Sequence, residues 1–384
     1  MSGVIHHTVT KPVIKKGQPD DSFKIQPLPA PSGIYPYHLD FPASTVHPSK
    51  AFAFNLVGDT GGLKSPKFQQ QIAEALDKQT ADSLYPSQFL FHLGDIVYHY
   101  GEREQYERQF FTPYASFPGP IYAIAGNHDA DVNPYNPVPY KSLDAFTEVF
   151  CDARPGDHYF SANVSRKNQH QPNVYWTLNT EMATIIGLYS NVPKYGYISG
   201  EQQDWLIKEL IRAGEMQNDK AIILCLHHAP FTADTNHGSS IAMIELLEDS
   251  FAKAGVIPDI VFSGHVHNYQ RFAKVYPGVK TVPFIVAGSG GFDELHVLAA
   301  DDDPGFSTED HHFENVTLEN YSLYQHGFIK VILEKTADEF FLTCQYYTMV
   351  HEDDQDLPAT LFDSITLDLK RNKESRRSVL SNHT

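Results

Sequence analysis

The chain has 384 residues, of which 41% are hydrophobic and 12% aromatic, so it can bury one large core. Its formal net charge of -18 excludes a general affinity for nucleic acid or for an anionic membrane surface. Three cysteines at unrelated spacings, Cys151, Cys225 and Cys344, indicate neither a disulfide framework nor a CxxC metal site.

The first part of the chain differs in composition from the rest. Residues 1–48 are polar and proline-rich, as in "QPLPAPSGIYPYHLDFP", and predict an extended N-terminal arm on the surface. The chain opens without the apolar stretch of a signal peptide, and no later run approaches transmembrane length. We therefore expect a cytoplasmic protein, or a secreted or periplasmic one if a leader has been removed.

From Ala51 onward, short apolar runs alternate with helix-like stretches. Helices are predicted at "SPKFQQQIAEALDKQ" and at "SGEQQDWLIKELIRAG", the second with Ser199 as its cap and Gly214 as its stop. The apolar runs are rich in Val, Ile and Phe and predict buried strands. They are "AFAFNLVGD", "QFLFHLGD", "PIYAIAGNHD", "ATIIGLYS", "KAIILCLHHAP", "PDIVFSGHVH" and "VPFIVAGSGG". This alternation predicts a layered α/β fold with helices outside a sheet or a pair of sheets.

The composition of the chain changes again after Gly291. An acidic loop follows Gly291, and two further β-like runs, "HGFIKVILEK" and "FFLTCQYYTMV", come after it. Residues 369–384 are basic and polar and predict a frayed tail. The sequence therefore predicts a single catalytic domain over residues 49–368.

Side chains that can bind a metal follow five of the predicted strands. They are Asp59; Asp95 with Tyr98; Asn127, His128 and Asp129; His227 with His228; and His265 with His267. The carboxyl ends of strands in an α/β layer fold open onto one crevice, so these side chains are expected to meet there. Each motif alone is also typical of a turn or a packed core, but the five together indicate a metal site.

These motifs carry a resemblance to a known family. The blocks "GDTGG", "GDIVY", "GNHD", "HHAP" and "GHVH" resemble those of the calcineurin-like metallophosphoesterases, and more narrowly those of the purple acid phosphatases. The first block reads Asp-Thr-Gly where most of the superfamily has Asp-x-His, and the second supplies Tyr98, which the wider superfamily lacks. The resemblance spans roughly residues 51–292 and the strands from His326. It implies a four-layer α-β-β-α sandwich with a dinuclear metal centre at the strand carboxyl ends.

The resemblance also implies a ligand set. One metal takes Asp59, Asp95, Tyr98 and His267, and the other takes Asp95, Asn127, His228 and His265. His228 is preferred to His227 because the family ligand lies two residues before the proline, here Pro230. A phenol with a pKa of about 10 binds well only to a strongly acidic cation, so Tyr98 indicates Fe(III). The other donor set suits a divalent ion, Fe, Zn or Mn.

The reaction implied is hydrolysis of phosphate monoesters by an acid phosphatase, through attack of a metal-bound hydroxide. His128 is the first candidate for protonating the leaving group, with Asp129 placed to orient it. His237 in "TADTNHGSS" is the second, because it resembles a substrate-facing histidine of some family members.

Other functions stay open from the sequence. A metallophosphodiesterase acting on cyclic nucleotides or phospholipid-derived diesters would use the same metal core, and so would a phosphatase acting on phosphoproteins. A non-catalytic phosphate-binding metalloprotein is a more distant alternative. The expected partner is a small phosphorylated substrate, with neither nucleic acid nor membrane, and no oligomeric state is predicted.

Overall fold

A computed structural model describes residues 9–42, 51–82, 84–151, 170–216, 219–349 and 358–370. The strands in these ranges are numbered along the chain. They are β1 (Ile14–Lys15), β2 (His38–Asp40), β3 (Ala51–Val57), β4 (Ser87–His92), β5 (Ile121–Ala123), β6 (Trp176–Asn179), β7 (Ala183–Gly187), β8 (Ala221–Leu226), β9 (Ile260–Ser263), β10 (Tyr269–Tyr276), β11 (Lys280–Ala287), β12 (Phe306–Ser307), β13 (Val316–Ser322), β14 (His326–Lys335), β15 (Phe340–Met349) and β16 (Thr360–Asp368).

Five α-helices are found in the same described ranges. They are α1 (Lys67–Thr80), α2 (Asn127–Ala130), α3 (Asp144–Phe150), α4 (Gly200–Glu215) and α5 (Ile241–Ala254). Short 3-10 turns lie at Ser22–Lys24, Arg103–Gln105 and His311–Phe313, and a π-helical turn lies at Glu107–Phe111.

The strands form two large sheets. The six-stranded sheet has the order β16-β15-β14-β3-β4-β5, and the eight-stranded sheet has the order β13-β10-β11-β9-β8-β7-β6-β2. Strands β3, β4 and β5 run parallel in the first sheet, as do β7, β8, β9 and β11 in the second. Parallel neighbours place their carboxyl ends at one edge of the sheet, so the loops that leave these strands lie together.

The two sheets pack face to face, with helices on their outer sides. Phe91 of β4 stacks on Trp176 of β6 across the sheet interface, with ring centroids 6.0 Å apart. Helix α1 lies against β14 and β4 and buries Ile72 and Leu76, while α4 lies against β7 and α5. Strand β8 is buried throughout, as its unbroken apolar sequence predicts. The predicted four-layer α-β-β-α sandwich is confirmed.

The elements agree with the sequence pattern where the apolar runs are long. Each of the seven runs contains a strand, and Ser199 caps α4 by accepting a hydrogen bond from the Gln202 amide at 3.3 Å. Gly214 does not end this helix, which continues to Glu215. Strand β2 lies inside the proline-rich segment and joins the sheet beside β6, where only three residues pair.

Two sequence predictions concern parts of the chain that the structure describes incompletely. Residues 43–50 and 371–384 lie outside the described ranges, so the division of the chain at residues 48 and 368 stays a prediction. Across the described ranges, no helix combines the length and the apolar character that crossing a membrane requires.

Candidate metal centre

The predicted metal-binding residues all lie beyond the carboxyl ends of buried parallel strands. Asp59 follows β3, Asp95 follows β4, and Asn127 follows β5 in the six-stranded sheet. His227 and His265 follow β8 and β9 in the other sheet. Because the two sheets face each other, these loops meet in one place. They bring together residues that are about two hundred positions apart in the sequence. For example, the His265 amide donates a hydrogen bond to the Asp59 carboxylate.

One donor cluster joins Asp59, Tyr98 and His267. The Tyr98 hydroxyl lies 3.3 Å from Asp59 Oδ1 and 3.3 Å from His267 Nε2, and His267 Nε2 lies 3.6 Å from Asp59 Oδ1. Donors about 2.1 Å from one metal lie about 3 to 3.5 Å from each other, so this spacing fits a single ion. His267 Nδ1 donates to the Glu294 carbonyl at 3.1 Å, which leaves the Nε2 lone pair for a metal.

A second donor cluster joins Asp95, Asn127, His227 and His265. Asn127 Oδ1 lies 2.9 Å from His265 Nδ1 and 3.1 Å from His227 Nε2. His227 Nε2 lies 3.4 Å from Asp95 Oδ2, and one ligand atom from each of Asp95, His227 and His265 falls within 4.8 Å of the others. An amide oxygen, a carboxylate and two imidazoles are donors that suit a divalent transition metal.

The structure brings His227 close to Asp95 and Asn127, so His227 is a second candidate beside the predicted ligand His228, whose Nε2 is buried without a hydrogen-bond partner among the described residues. His227 Nδ1 donates to the Leu93 carbonyl at 2.9 Å and directs Nε2 at Asp95 and Asn127. His228, one residue further, has its Nδ1 2.7 Å from Ser190 Oγ instead. Counting residues back from Pro230 misses this, because the chain direction at the end of β8 decides which ring reaches Asp95 and Asn127.

Asp95 connects the two clusters. Its Oδ1 accepts from the His128 amide at 2.9 Å, its Oδ2 lies near His227, and its charge acts on Tyr98. Burial raises the pKa of the Tyr98 phenol well above its usual value, and the Asp95 and Asp59 carboxylates raise it further. A metal ion between these groups would have to displace the phenol proton in order to bind Tyr98.

The imidazoles differ in how readily they can ligate. Burial holds the pKa values of His265 and His267 well below normal, so both rings are neutral with a lone pair available. Burial also acts to lower the pKa of His227, but the Asp95 carboxylate outweighs it and raises that pKa to about 9. A metal ion that binds His227 therefore has to displace a proton, and metal affinity falls as the pH falls.

The backbone around the site is held in sparsely populated conformations. Asp59, Asp95 and His265 have φ angles of 58°, 54° and 69°, in the left-handed region where side chains other than glycine cost roughly 1–3 kcal/mol. Two glycines in neighbouring loops approach the Asp95 and Asp59 carboxylates closely. A Cβ on Gly126 would lie 2.1 Å from Asp95 Oδ1, and one on Gly264 would lie 2.6 Å from Asp59 Oδ2. Glycine in these motifs therefore leaves room for the carboxylates.

His128 borders the site but is oriented differently from the prediction. Its Nδ1 lies 2.7 Å from the His99 carbonyl, and its ring lies 4.6 Å from the Tyr98 ring. Asp129 does not orient His128. It is fully buried and accepts from three backbone amides, those of Ile96, Val97 and Gly126, at 3.0, 3.1 and 2.8 Å. Asp129 therefore fixes the loop that carries Asp95, and the His99 carbonyl takes the place predicted for it.

The His237 ring lies beside the second donor cluster, with its centroid 4.1 Å from that of His265. The sequence analysis missed two residues that hold the ligands in place. The Gln109 side chain accepts from the Tyr98 amide at 2.9 Å and donates to the Tyr98 carbonyl at 3.0 Å. The His296 ring stacks on His267 with centroids 4.3 Å apart. Neither lies in a recognisable motif, so no local signal could have revealed them.

Comparisons with known proteins agree with this geometry. The family model described as calcineurin-like phosphoesterase matches residues 53–269. Purple acid phosphatase 15 of Arabidopsis thaliana is 27% identical over 197 residues, which cover 48% of this chain and 32% of that protein. Purple acid phosphatase 18 of the same plant is 26% identical over 311 residues, covering 76% and 59% of the two chains. The chain thus spans between one third and three fifths of the length of these relatives.

Two solved structures share the fold. The purple acid phosphatase PPD1 from yellow lupin (Lupinus luteus) seeds has a TM-score of 0.58 at 16% identity, covering 89% of this chain and 55% of that one. GAP50, the anchor in the inner membrane complex of Plasmodium, has a TM-score of 0.53 at 12% identity, covering 85% and 94%. The same fold thus occurs in proteins with different names. The function therefore has to be inferred from the residues at the strand ends.

Proposed function

The chain belongs to the calcineurin-like phosphoesterase family, and from this premise we propose that it hydrolyses phosphate monoesters as a purple acid phosphatase does. The observation that supports this most strongly is the pair of donor clusters that share Asp95. One cluster contains a phenol, Tyr98, and the other an amide, Asn127. A centre of two different metal ions, Fe(III) and a divalent Fe, Zn or Mn, accounts for both donor sets.

The donor residues fit such a centre. Asp59, Tyr98 and His267 would hold the trivalent ion, Asn127, His227 and His265 the divalent one, and Asp95 would bridge the two. Two bound ions would supply positive charge to the phosphoryl group and acidify a water molecule for attack in line with the leaving group. This local positive charge is what lets a chain with a formal charge of -18 accept an anionic substrate.

His128 is the first candidate to protonate the leaving group. His128 Nδ1 donates a hydrogen bond to the His99 carbonyl at 2.7 Å, so Nε2 is the nitrogen that exchanges a proton with substrate. The backbone amide of His128 donates to Asp95, which ties the ring to the metal centre. His237 is the second candidate donor, because its ring lies against that of the metal-site residue His265.

The experiment compares the hydrolysis of p-nitrophenyl phosphate and bis(p-nitrophenyl) phosphate by the purified holoprotein. We expect kcat/KM for the monoester to exceed that for the diester by at least about tenfold, which corresponds to about 1.4 kcal/mol of transition-state stabilisation. Asn127→Ala serves as the control for contaminating phosphatases, because it removes a donor and should abolish turnover. A preference for the diester would make the protein a phosphodiesterase, and no turnover of either would make it a binding protein.

The same assay with His128→Gln tests the proton donor. The variant should lose more activity on an alkyl phosphate, whose leaving group needs a proton, than on p-nitrophenyl phosphate. An equal loss on both substrates would remove His128 from this role.

A further inference from the structure

Two loops beside the metal centre are fastened together outside the main sheets. The loop after β8 and the loop after β11 pair through an isolated antiparallel bridge between Asp234 and Leu298. The Thr235 amide donates to the Val297 carbonyl at 3.1 Å, and the Ala299 amide donates to the Ala233 carbonyl at 2.9 Å. This pairing fixes the backbone on both sides of a small group of side chains.

The side chains held between these loops are those of Asp234, His237 and His296. One ligand atom from each lies within 4.8 Å of the others. Asp234 Oδ1 and His296 Nδ1 are 3.5 Å apart, which is too far for a good hydrogen bond. Two donors bound to one tetrahedral zinc at about 2.0–2.1 Å lie about 3.4 Å apart, so this separation fits a shared cation.

Two of these three side chains have a buried atom without a hydrogen-bond partner in the part of the chain that the structure describes. Asp234 is fully buried, and its Oδ2 accepts from the amides of Asn236 and His237 at 2.9 and 2.8 Å. Its Oδ1 has no hydrogen-bond partner among the described residues, and neither does Nδ1 of His237. A buried acceptor left unpaired costs roughly 1–3 kcal/mol, and more when it is charged. Both unpaired atoms are lone-pair donors to a metal.

We propose that Asp234, His237 and His296 form a site for a third metal ion, a divalent cation. One carboxylate and two imidazoles are the donor set of a catalytic zinc site, in which a fourth position stays open to water or substrate. His296 Nδ1 also receives the His267 amide at 3.3 Å, a long hydrogen bond that ligation would replace. Ligation of His237 through Nδ1 leaves the hydrogen on Nε2, so this ring still donates to a substrate oxygen.

The proposed cation site lies next to both donor clusters. The His237 ring lies 4.1 Å from that of His265, and the His296 ring lies 4.3 Å from that of His267. A cation held there adds positive charge next to the position of the substrate phosphate. Residue 296 lies beyond residues 53–269, the range that the family model matches, so the site includes a residue from outside the matched range.

Another group of similar composition provides a matched control. Asp310, His311 and His312 also bring their ligand atoms within 4.8 Å of one another. There, however, His312 Nδ1 contacts Asp310 at 2.6 Å, and the His311 side chain is 77% exposed. Because these groups are paired or solvated, this cluster should hold no firmly bound ion.

The test is the metal content of the holoprotein, measured by mass spectrometry after equilibrium dialysis against buffered free Zn²⁺. Wild type and Asp310→Asn should each bind three metal ions per chain, counted over all metals. Asp234→Asn keeps an oxygen for the two amides and should retain two ions, with the third bound at least about 100-fold more weakly. His296→Gln should give the same result and guards against a defect specific to the first variant.

This measurement does not depend on turnover, so it can fail while the phosphatase proposal stands. Two ions per chain in wild type at saturating zinc would overturn the proposal. A third ion that persists in both Asp234→Asn and His296→Gln would place the extra metal elsewhere and would overturn it too.

Discussion

Replacing Asp95 with asparagine should remove both metal ions and nearly all activity. The Asp95 carboxylate lies beside His227 of one donor cluster and its charge acts on Tyr98 of the other, and asparagine has one oxygen in place of two. The amide oxygen of the new side chain can still accept from the His128 amide, so the loop should keep its shape. We expect metal content to fall well below one ion per chain and kcat/KM to fall at least about 1,000-fold, or about 4 kcal/mol.

Circular dichroism separates this effect from unfolding, since the variant should keep the wild-type spectrum. Asp310→Asn is the matched control, because it changes an aspartate beside two histidines far along the chain and should keep full activity. Asp95→Asn protein that retains two ions per chain would show that Asp95 does not bridge them.

Replacing His227 should have a large effect, and replacing its neighbour His228 a small one. His227 Nε2 lies within 3.4 Å of both Asp95 and Asn127, whereas His228 contacts Ser190. His227→Gln should therefore lose the divalent ion and at least about 100-fold in kcat/KM, or about 2.7 kcal/mol. His228→Gln should keep two metal ions, because glutamine nearly fills the same volume and can still bond Ser190.

The two variants control for each other, since both change a fully buried histidine at the end of β8. Metal analysis and activity should be measured on the same preparations. If His228→Gln lost the divalent ion while His227→Gln kept it, the orientation of this strand end would be opposite to the one in the structure, and the sequence-based choice would be right.

Much of the site could be predicted because its residues sit directly after strands. Asp59, Asp95, Asn127 and His265 each follow a buried apolar run, and parallel strands bring such ends together whatever the sequence between them. The order of the motifs indicates the calcineurin-like metallophosphoesterases, and the presence of Tyr98 indicates resemblance to the purple acid phosphatases among them. Each of these motifs is short and local in sequence, and the fold brings the motifs close together in space.

What could not be predicted depends on contacts between distant segments. His227 and His228 are chemically identical, and the positions of Leu93 and Ser190 determine which ring contacts Asp95 and Asn127. Asp129 looks like a partner for His128, yet the backbone amides around Gly126 lie closer to its carboxylate. His296 is brought to His267 by a loop pairing that leaves no periodic pattern in the sequence.

Two of the strands that the sequence analysis does not predict have short pairing or a weak hydrophobic pattern. Strand β2 pairs over three residues in a proline-rich segment, and no apolar run marks it. Strand β16 lies at the edge of its sheet with much of its surface exposed, so its residues alternate only weakly. Tertiary pairing stabilises both strands, and the local sequence does not.

We propose that Tyr98 donates to Fe(III) in a centre of two metal ions. The most direct measurement is the visible absorption spectrum of the purified holoprotein and of Tyr98→Phe, with the iron, zinc and manganese content of both. We predict a tyrosinate-to-iron charge-transfer band in wild type, with one iron and one further metal per chain, and its loss in Tyr98→Phe. A colourless wild-type protein carrying two divalent ions would contradict the claim, and so would a band that persists in the variant.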